Sequence, residues 1–410
     1  MNLRNFSELH NFYKAQLFYD CVPFWMEHSL DHQYGGYLTM LERDGTPYGF
    51  GKYVWPQARE AWLFARLYNT VEKKPEWLEA SCLGVDFLRK HALDEDGQAY
   101  YKLSREGAPI YSRPWQIFSE CFLVIAMAEF AKASGEDEYL QIAKKIYWNI
   151  VKRLQNADLD KYAFIQNRLF KEHTVSMIML NTTQELRVVE DNPQFAGLIQ
   201  SWLHEELYVY AKDEQKALFE RVRPDGSLIL SEPEGRSVVP GHCMETCWFC
   251  LREGDYLEDK KIIQRASQIL DWTLELGWDK TFGGLFNFID YENKPPGHHD
   301  EDWGEDQDWD EKLWWVHSEA LYALLLAYKL TGKEKYMEWY EKVHYWSFKY
   351  FPDPQYGEWF GYLRRDGSVS QTLKGCMKGF FHLPRALLNC TQLLEKRKIL
   401  TNAREKFLQQ

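Results

Sequence analysis

A turn block recurs along this chain, and its recurrence limits the fold more than any other feature. Asp31-His32-Gln33-Tyr34-Gly35-Gly36-Tyr37-Leu38 returns as Asp279-Lys280-Thr281-Phe282-Gly283-Gly284-Leu285-Phe286 and as Asp353-Pro354-Gln355-Tyr356-Gly357-Glu358-Trp359-Phe360. Each is followed by a second turn, at Arg43-Asp44-Gly45, Tyr291-Glu292-Asn293 and Arg365-Asp366-Gly367. Short alternating runs enclosed by such turns read as small β-hairpins. Fainter copies lie at Asp94 to Gly107 and Ala217 to Gly226, and a degraded one around Asp160 to Phe170. Between blocks the hydrophobic period is 3.6, as in Trp55 to Leu67, Ile117 to Phe130, Trp314 to Leu330 and Phe380 to Leu394. The step from block to block is roughly 50 to 75 residues, room for a helix, a loop and a second helix.

Six blocks predict about twelve helices. A stack of helical pairs ends in polar caps if it stays open. Here the first and last blocks resemble each other as closely as they resemble an internal one, which favours a closed ring. The expectation is an all-α (α/α)6 barrel of about twelve helices with short β-hairpins at one rim, with residues 1–410 forming a single catalytic domain. Two unrelated helical domains are the competing arrangement.

Charge narrows the partners. With 49 Lys+Arg against 61 Asp+Glu the net charge is -12, the wrong sign for neutralising phosphates, so neither nucleic acid nor an anionic membrane is expected. The segment Met1 to Asp20 lacks the organisation of a secretory signal, and no run of about 18 apolar residues occurs, so a cytoplasmic location is expected. Eight cysteines are too few for a disulfide scaffold and are read as reduced.

The helix that follows each hairpin would be an inner one, opening at the same rim. Polar residues gather at that place: Gln57, Arg59 and Glu60; Gln116 and Glu120; Asn181; His242 and Glu245; His317 and Glu319; His382 and Arg385. Trp55, Trp62, Trp115, Trp248, Trp314, Trp315, Phe380 and Phe381 accompany them. Taken singly, a buried His or Glu is a satisfied core residue; repeated at equivalent rim positions, these residues mark a site. In Pro240-Gly241-His242-Cys243-Met244-Glu245 the carboxylate stands three residues from the imidazole, where it is expected to hold its tautomer. Lys378-Gly379-Phe380-Phe381-His382-Leu383-Pro384-Arg385 brings a second His. Two imidazoles facing one cavity suit a reaction in which one takes a proton and the other returns one. Arg59, Arg236 and Arg385 would supply positive charge to an oxyanion, with an ordinary ion pair as the alternative for each.

Other chemistries find less support. The run His298-His299-Asp300-Glu301-Asp302, continuing to Glu311, has no ligand spacing and reads as a solvated acidic loop. Cys243, Cys247 and Cys250 follow the i, i+4, i+7 spacing of a buried helix stripe, so no metal site is expected. GxGxxG, GxxxxGK[ST] and GxSxG motifs do not occur.

The chain resembles the N-acylglucosamine 2-epimerases, also called renin-binding proteins, over essentially its whole length. The resemblance is carried by Val22-Pro23-Phe24-Trp25, Gln57-Ala58-Arg59, Glu234-Gly235-Arg236 with Pro240-Gly241-His242, Lys312 to Glu319, Tyr356 to Tyr362, and Lys378 to Arg385. It implies an (α/α)6 barrel that interconverts N-acetylglucosamine and N-acetylmannosamine by moving the C2 proton of the open-chain sugar. On matched positions it implies Arg59, His242, Glu319 and His382 as the catalytic set, with Glu245 and Arg236 in support. Asn181, Arg385 and the walls Trp314, Trp315 and Phe381 complete the expected sugar site. Glu319 would bond the sugar or orient one His. No metal, nicotinamide or flavin is required.

The family also implies ATP as an allosteric activator, although Asp158 to His173 carries no glycine-rich loop. Leu373 to Gly379 departs from relatives that carry a Trp before the last Lys-Gly, which bears on one wall of the site. The expected partner is a small sugar, with a homodimer left open. The competing readings are an epimerase or aldose-ketose isomerase of unsubstituted sugars such as mannose, glucose or cellobiose, an (α/α)6 glycoside hydrolase working through Glu245, Glu319 or the acidic loop, and a non-catalytic binding protein.

Overall fold

A computed structural model describes residues 1–111, 117–156, 170–293, 309–375 and 377–395. Helix α1 (Phe6–Gln16) continues through a π-helical turn (Leu17–Cys21) into α2 (Val22–His28). There follow α3 (Val54–Thr70), α4 (Pro75–His91), α5 (Ile117–Ser134), α6 (Asp137–Gln155), α7 (His173–Arg187) and α8 (Gln194–His204). The rest are α9 (Pro240–Tyr256), α10 (Lys260–Gly277), α11 (Trp314–Thr331), α12 (Glu334–Tyr350) and α13 (His382–Glu395). With α1 and α2 taken as one rod, the described residues form twelve helical rods in an (α/α)6 barrel.

Burial separates the two rings. Outer α10 is capped by Asp259, whose side chain accepts from the N–H groups of Lys261 and Ile262, and it buries one stripe through Ala266, Ile269, Leu270, Thr273, Leu274 and Gly277. Inner α5 is buried without a break from Ser119 to Ala131, as a helix surrounded by others must be. Inner helices pack in the order α3, α5, α7, α9, α11, α13, each backed by an outer partner, with α1 backing α13. The ring closes where Phe380 meets Phe64 at 4.8 Å between centroids and where Gln392 of α13 donates to Thr70 of α3 at 3.0 Å. Among the described residues no helix is long and apolar enough to cross a membrane.

The hairpins are joined more closely than the sequence suggests. The strand leading into an inner helix pairs with a strand of the following block: Lys52–Tyr53 with Lys102–Leu103, Lys171–Glu172 with Arg221–Val222, Ser237–Val238 with Ile289–Asp290, and Lys312–Leu313 with Tyr362–Leu363. The result is a belt around the rim instead of separate hairpins. The degraded copy expected at Asp160 to Phe170 falls almost wholly outside the described residues, as do Trp115, Gln116 and most of the acidic loop.

The three strong blocks share one buckle. Asp31 accepts from Lys52 and from Arg105 at 2.9 Å each, Asp279 from Lys312 at 3.2 Å and Arg365 at 2.8 Å, and Asp353 from Arg43 at 2.8 Å with Lys374 at 3.0 Å. Each Asp also accepts backbone N–H groups two and three residues on, closing its own turn. The left-handed pairs Gly35-Gly36 (φ 81° and 70°) and Gly283-Gly284 (φ 74° and 75°) make the return. In the third buckle Arg43 belongs to the first block and Asp353 to the last, so this ion pair fastens the ends of the ring. Lys374 adds a backbone bond to Leu41 at 2.9 Å.

Candidate active site

The N-termini of the inner helices meet at the belt, and His242, His382, Arg59 and Glu319 all lie within the first two turns of theirs. Pro at the first position of α9 begins that helix without a wasted N–H. Gly241 follows because no side chain fits: a Cβ there would lie 2.2 Å from Cζ3 of Trp315.

Glu319 organises the centre. Its Oε1 accepts from Nδ1–H of His382 and from Arg385, both at 2.7 Å, and its Oε2 accepts from Nε1–H of Trp248 at 2.8 Å. The same Arg385 nitrogen donates to Glu245 at 2.7 Å. With Nδ1 engaged as a donor, Nε2 of His382 is the basic atom. Burial first, and then the Arg59 charge, hold this imidazole well below its ordinary pKa, so it is neutral at pH 7. These contacts are the ones that orientation of a histidine by Glu319 would require.

His242 is the more accessible imidazole, its side chain 19% exposed. Its Nδ1 does not face Glu245, as the i, i+3 spacing suggested. It faces Glu220, 3.2 Å from each carboxylate oxygen. The reason is reach: His242 stands at the end of α9 against the hairpin that carries Glu220, whereas Glu245, one turn deeper, is drawn to Arg385 of α13.

One ring joins the two histidines. Trp315, partly exposed, packs 5.3 Å from His242 and 5.6 Å from His382, tilted 41° and 42°. Trp314 and Phe381, expected as walls, are both buried. Trp314 lies edge-on to Tyr362 and 6.3 Å from His382. Phe381 lies beneath the guanidinium groups of Arg59 at 4.7 Å and Arg385 at 4.3 Å.

Arg59 is the unusual cation. It is buried among Trp55, Phe122 and Phe381, the first two at 4.2 Å, and makes no hydrogen bond or ion pair among the described residues. Burial lowers its pKa to about 9, which leaves it charged at neutral pH; the charges of Glu245, Arg385 and Glu319 are felt there. A buried cation in such a setting is what oxyanion stabilisation by Arg59 would require.

Other expected residues stand elsewhere. Arg236 donates to Asp290 at 2.8 Å and to the Leu230 carbonyl at 3.1 Å, the ion-pair alternative weighed for it, so its charge is paired within the belt. Asn181 is buried on α7 without a hydrogen bond among the described residues. Gln57 clasps the Tyr37 backbone at 2.7 and 2.8 Å. Glu60 bonds Ser29, and burial lifts its pKa to about 8. His317 accepts from the Leu285 N–H at 2.9 Å and donates to the Leu313 carbonyl at 2.8 Å. All three serve the scaffold.

Sequence reasoning missed Glu220 and His173. The available signal was a carboxylate in the otherwise apolar run Ala217-Leu218-Phe219-Glu220. Seven cysteines are described and free, and Cys243, Cys247 and Cys250 form the expected buried stripe. Among the described residues, Glu245, Glu319 and His382 bring ligand atoms within 4.8 Å of one another. Arg385 already bonds both carboxylates, so a cation would have to displace it, and the set does not fit a metal. Of the segment from Asp158 to His173 that the ATP expectation concerns, residues 158–169 lie outside the described part.

Residues 35–386 match the sequence model of the family described as N-acylglucosamine 2-epimerase (GlcNAc 2-epimerase). The N-acylglucosamine 2-epimerase of Bos taurus is 35% identical over 387 residues, covering 91% of this chain and 88% of that protein. The cellobiose 2-epimerase of Dictyoglomus turgidum is 25% identical over 359 residues, covering 83% and 86%. Among solved structures, cellobiose 2-epimerase from Bacillus thermoamylovorans superposes with a TM-score of 0.80 at 20% identity over 94% of this chain and 99% of that one, a likeness of fold.

Proposed function

The chain belongs to the N-acylglucosamine 2-epimerase family and is a carbohydrate 2-epimerase, and we propose that it interconverts N-acetyl-D-glucosamine and N-acetyl-D-mannosamine through His242 and His382. The observation that carries the reading is the packing of both imidazoles on Trp315 beside the unpaired Arg59.

The chemistry follows from the aldose. In the open-chain form the C2 proton is acidified by the neighbouring carbonyl. One imidazole takes it through Nε2, and Arg59 stabilises the enolate oxygen inside a low-dielectric aromatic cage. The second imidazole gives a proton to the other face of C2, and ring closure returns the epimer. Glu319 holds His382 and is itself held by Arg385 and Trp248; Trp315 is the apolar wall the sugar meets. The relative from Bos taurus supports the acylamino sugar as substrate. A hydrolase would need one protonated carboxyl group. Glu245 and Glu319 instead share Arg385, and Glu319 also accepts from His382 and Trp248, which disfavours that reading.

The test is proton NMR in deuterated water with N-acetylglucosamine, N-acetylmannosamine, glucose, mannose and cellobiose offered separately. Deuterium at C2 of N-acetylmannosamine formed from N-acetylglucosamine is the expected result. Turnover confined to mannose, glucose or cellobiose would replace the acylamino substrate with an unsubstituted one, and ketose formation would make the enzyme an isomerase of aldose to ketose.

A further inference from the structure

Glu220 is fixed before any side chain acts. Its N–H donates to the Ser237 carbonyl and its carbonyl accepts from the His173 N–H, both at 3.0 Å, so the belt holds it from either side. Its carboxylate then lies between two imidazoles. Nδ1 of His242 is 3.2 Å from both oxygens, Nδ1 of His173 is 3.4 Å from Oε1, and the rings stand 5.9 Å apart at 64°. His173 is fully buried. Its charge is also felt by Glu206, itself bonded by the hydroxyls of Ser176 and Thr246. Glu206, His173, Glu220 and His242 thus form one cluster, in which His242 is the member that packs on Trp315 at the site.

We infer that Glu220 and His173 are positioning residues of the epimerisation: Glu220 holds His242 in the tautomer that leaves Nε2 to exchange the C2 proton, and His173 holds Glu220. The inference rests on the reading of His242 as a proton carrier. A carboxylate behind an imidazole selects the Nδ1–H tautomer and supports the protonated ring. Left alone, a buried carboxylate would tend to take up a proton. Burial works against a charged His173 as well, but Glu220 and then Glu206 outweigh it and raise that imidazole to about 9. His173 is thus a cation at neutral pH. Burial opposes the Glu220 charge, yet His173 and His242 together hold its pKa well below the ordinary value. The other titratable or charged groups about this cluster are Glu172 beside His173, the neutral His382 that packs on Trp315 with His242, and Arg59, Glu245 and Arg385 near His382.

Both variants should move the pH profile in the same direction, because each leaves His242 without an ionised carboxylate, which a merely structural role would not do. In Glu220→Gln the protonated His242 loses its carboxylate, so the limb that requires the free base moves to lower pH by about one unit. In His173→Phe Glu220 loses the cation that keeps it ionised and takes up a proton, so that limb moves down as well. Glu220→Gln should lower kcat for C2 exchange about tenfold or more with KM little changed, and Glu220→Asp should recover part of it. Nitrogen-15 NMR of the histidines in the unaltered enzyme should show His242 as the Nδ1–H form, a readout independent of any variant's folding. An Nε2–H form, or an unchanged profile and kcat in Glu220→Gln, overturns the inference. If exchange survives in His242→Ala, it is the reading of His242 that fails; if His242→Ala is inactive while Glu220→Gln is unchanged, only the present inference does.

Discussion

Nδ1 of His382 lies 2.7 Å from Oε1 of Glu319, an oxygen that also accepts from Arg385 at 2.7 Å. With Trp248 on the second oxygen, Glu319 has a protein donor on each, and the expected role is to act through the histidine. Glu319→Gln should therefore lower kcat by a factor of about 10²–10⁴ and leave KM nearly unchanged, because the group lost is the one that aligns a general acid and base. Steady-state kinetics with N-acetylglucosamine, alongside circular dichroism to confirm the fold, separates the roles: a raised KM at unchanged kcat would assign Glu319 to sugar binding.

Arg59 has aromatic rings where a partner carboxylate would stand, so its charge is available to the substrate. Arg59→Ala should reduce kcat by about 10²–10³, the usual loss when a preorganised oxyanion donor is removed. Arg59→Lys keeps the charge but not the planar stack on Trp55 and Phe122, and should fall between the two. If Arg59→Ala exchanges the C2 proton at the parent rate, the enolate is stabilised elsewhere.

Gly241 gives the most local test of Trp315. A methyl group 2.2 Å from Cζ3 of the indole forces that ring to move, and with it the surface both histidines pack on. Gly241→Ala should cost about 1–3 kcal/mol of stability through overpacking and should lower kcat/KM more than thermal melting alone would explain. Unaltered kinetics would mean that the position of Trp315 does not matter to the reaction.

These residues also mark where the sequence was informative. The repeated Asp-to-Gly blocks disclosed the ring because they are local and periodic, and the helix starts after them held Arg59, His242, Glu319 and His382 among other polar residues, from which the family resemblance singled out these four. Partner choice was less legible. His242 and Glu245 share a helix face, but spacing on one helix is silent about a carboxylate arriving from a hairpin, and Glu220 proved the nearer group. Arg236 likewise found Asp290 across the belt, an interaction set by strand pairing between blocks and not by either segment alone. Arg43 and Asp353 lay in recognised turns, yet their meeting depends on the ring having closed.

That last pair yields a prediction about acid. Burial opposes the charge of each buckle aspartate, but Arg105 and Lys52 hold Asp31 at about 2, Arg365 and the turn amides hold Asp279 at about 2, and Arg43 keeps Asp353 lower still. An unfolded Asp titrates near 3.9. A pKa depressed by folding stabilises the native state above the unfolded value, and that stabilisation is lost as pH falls through the folded one. The barrel should therefore hold its stability to about pH 4 and lose it steeply toward pH 2. Asp353→Ala leaves Lys374 buried without its carboxylate and opens the Arg43 link between the ends of the ring, at a cost of about 3–5 kcal/mol near neutral pH. Because one of the three buckle carboxylates is then missing, its melting temperature should also fall less between pH 4 and pH 2 than that of the parent. Calorimetry across that interval checks both statements; equal slopes for the two proteins would mean that Asp353 takes no part in the acid transition.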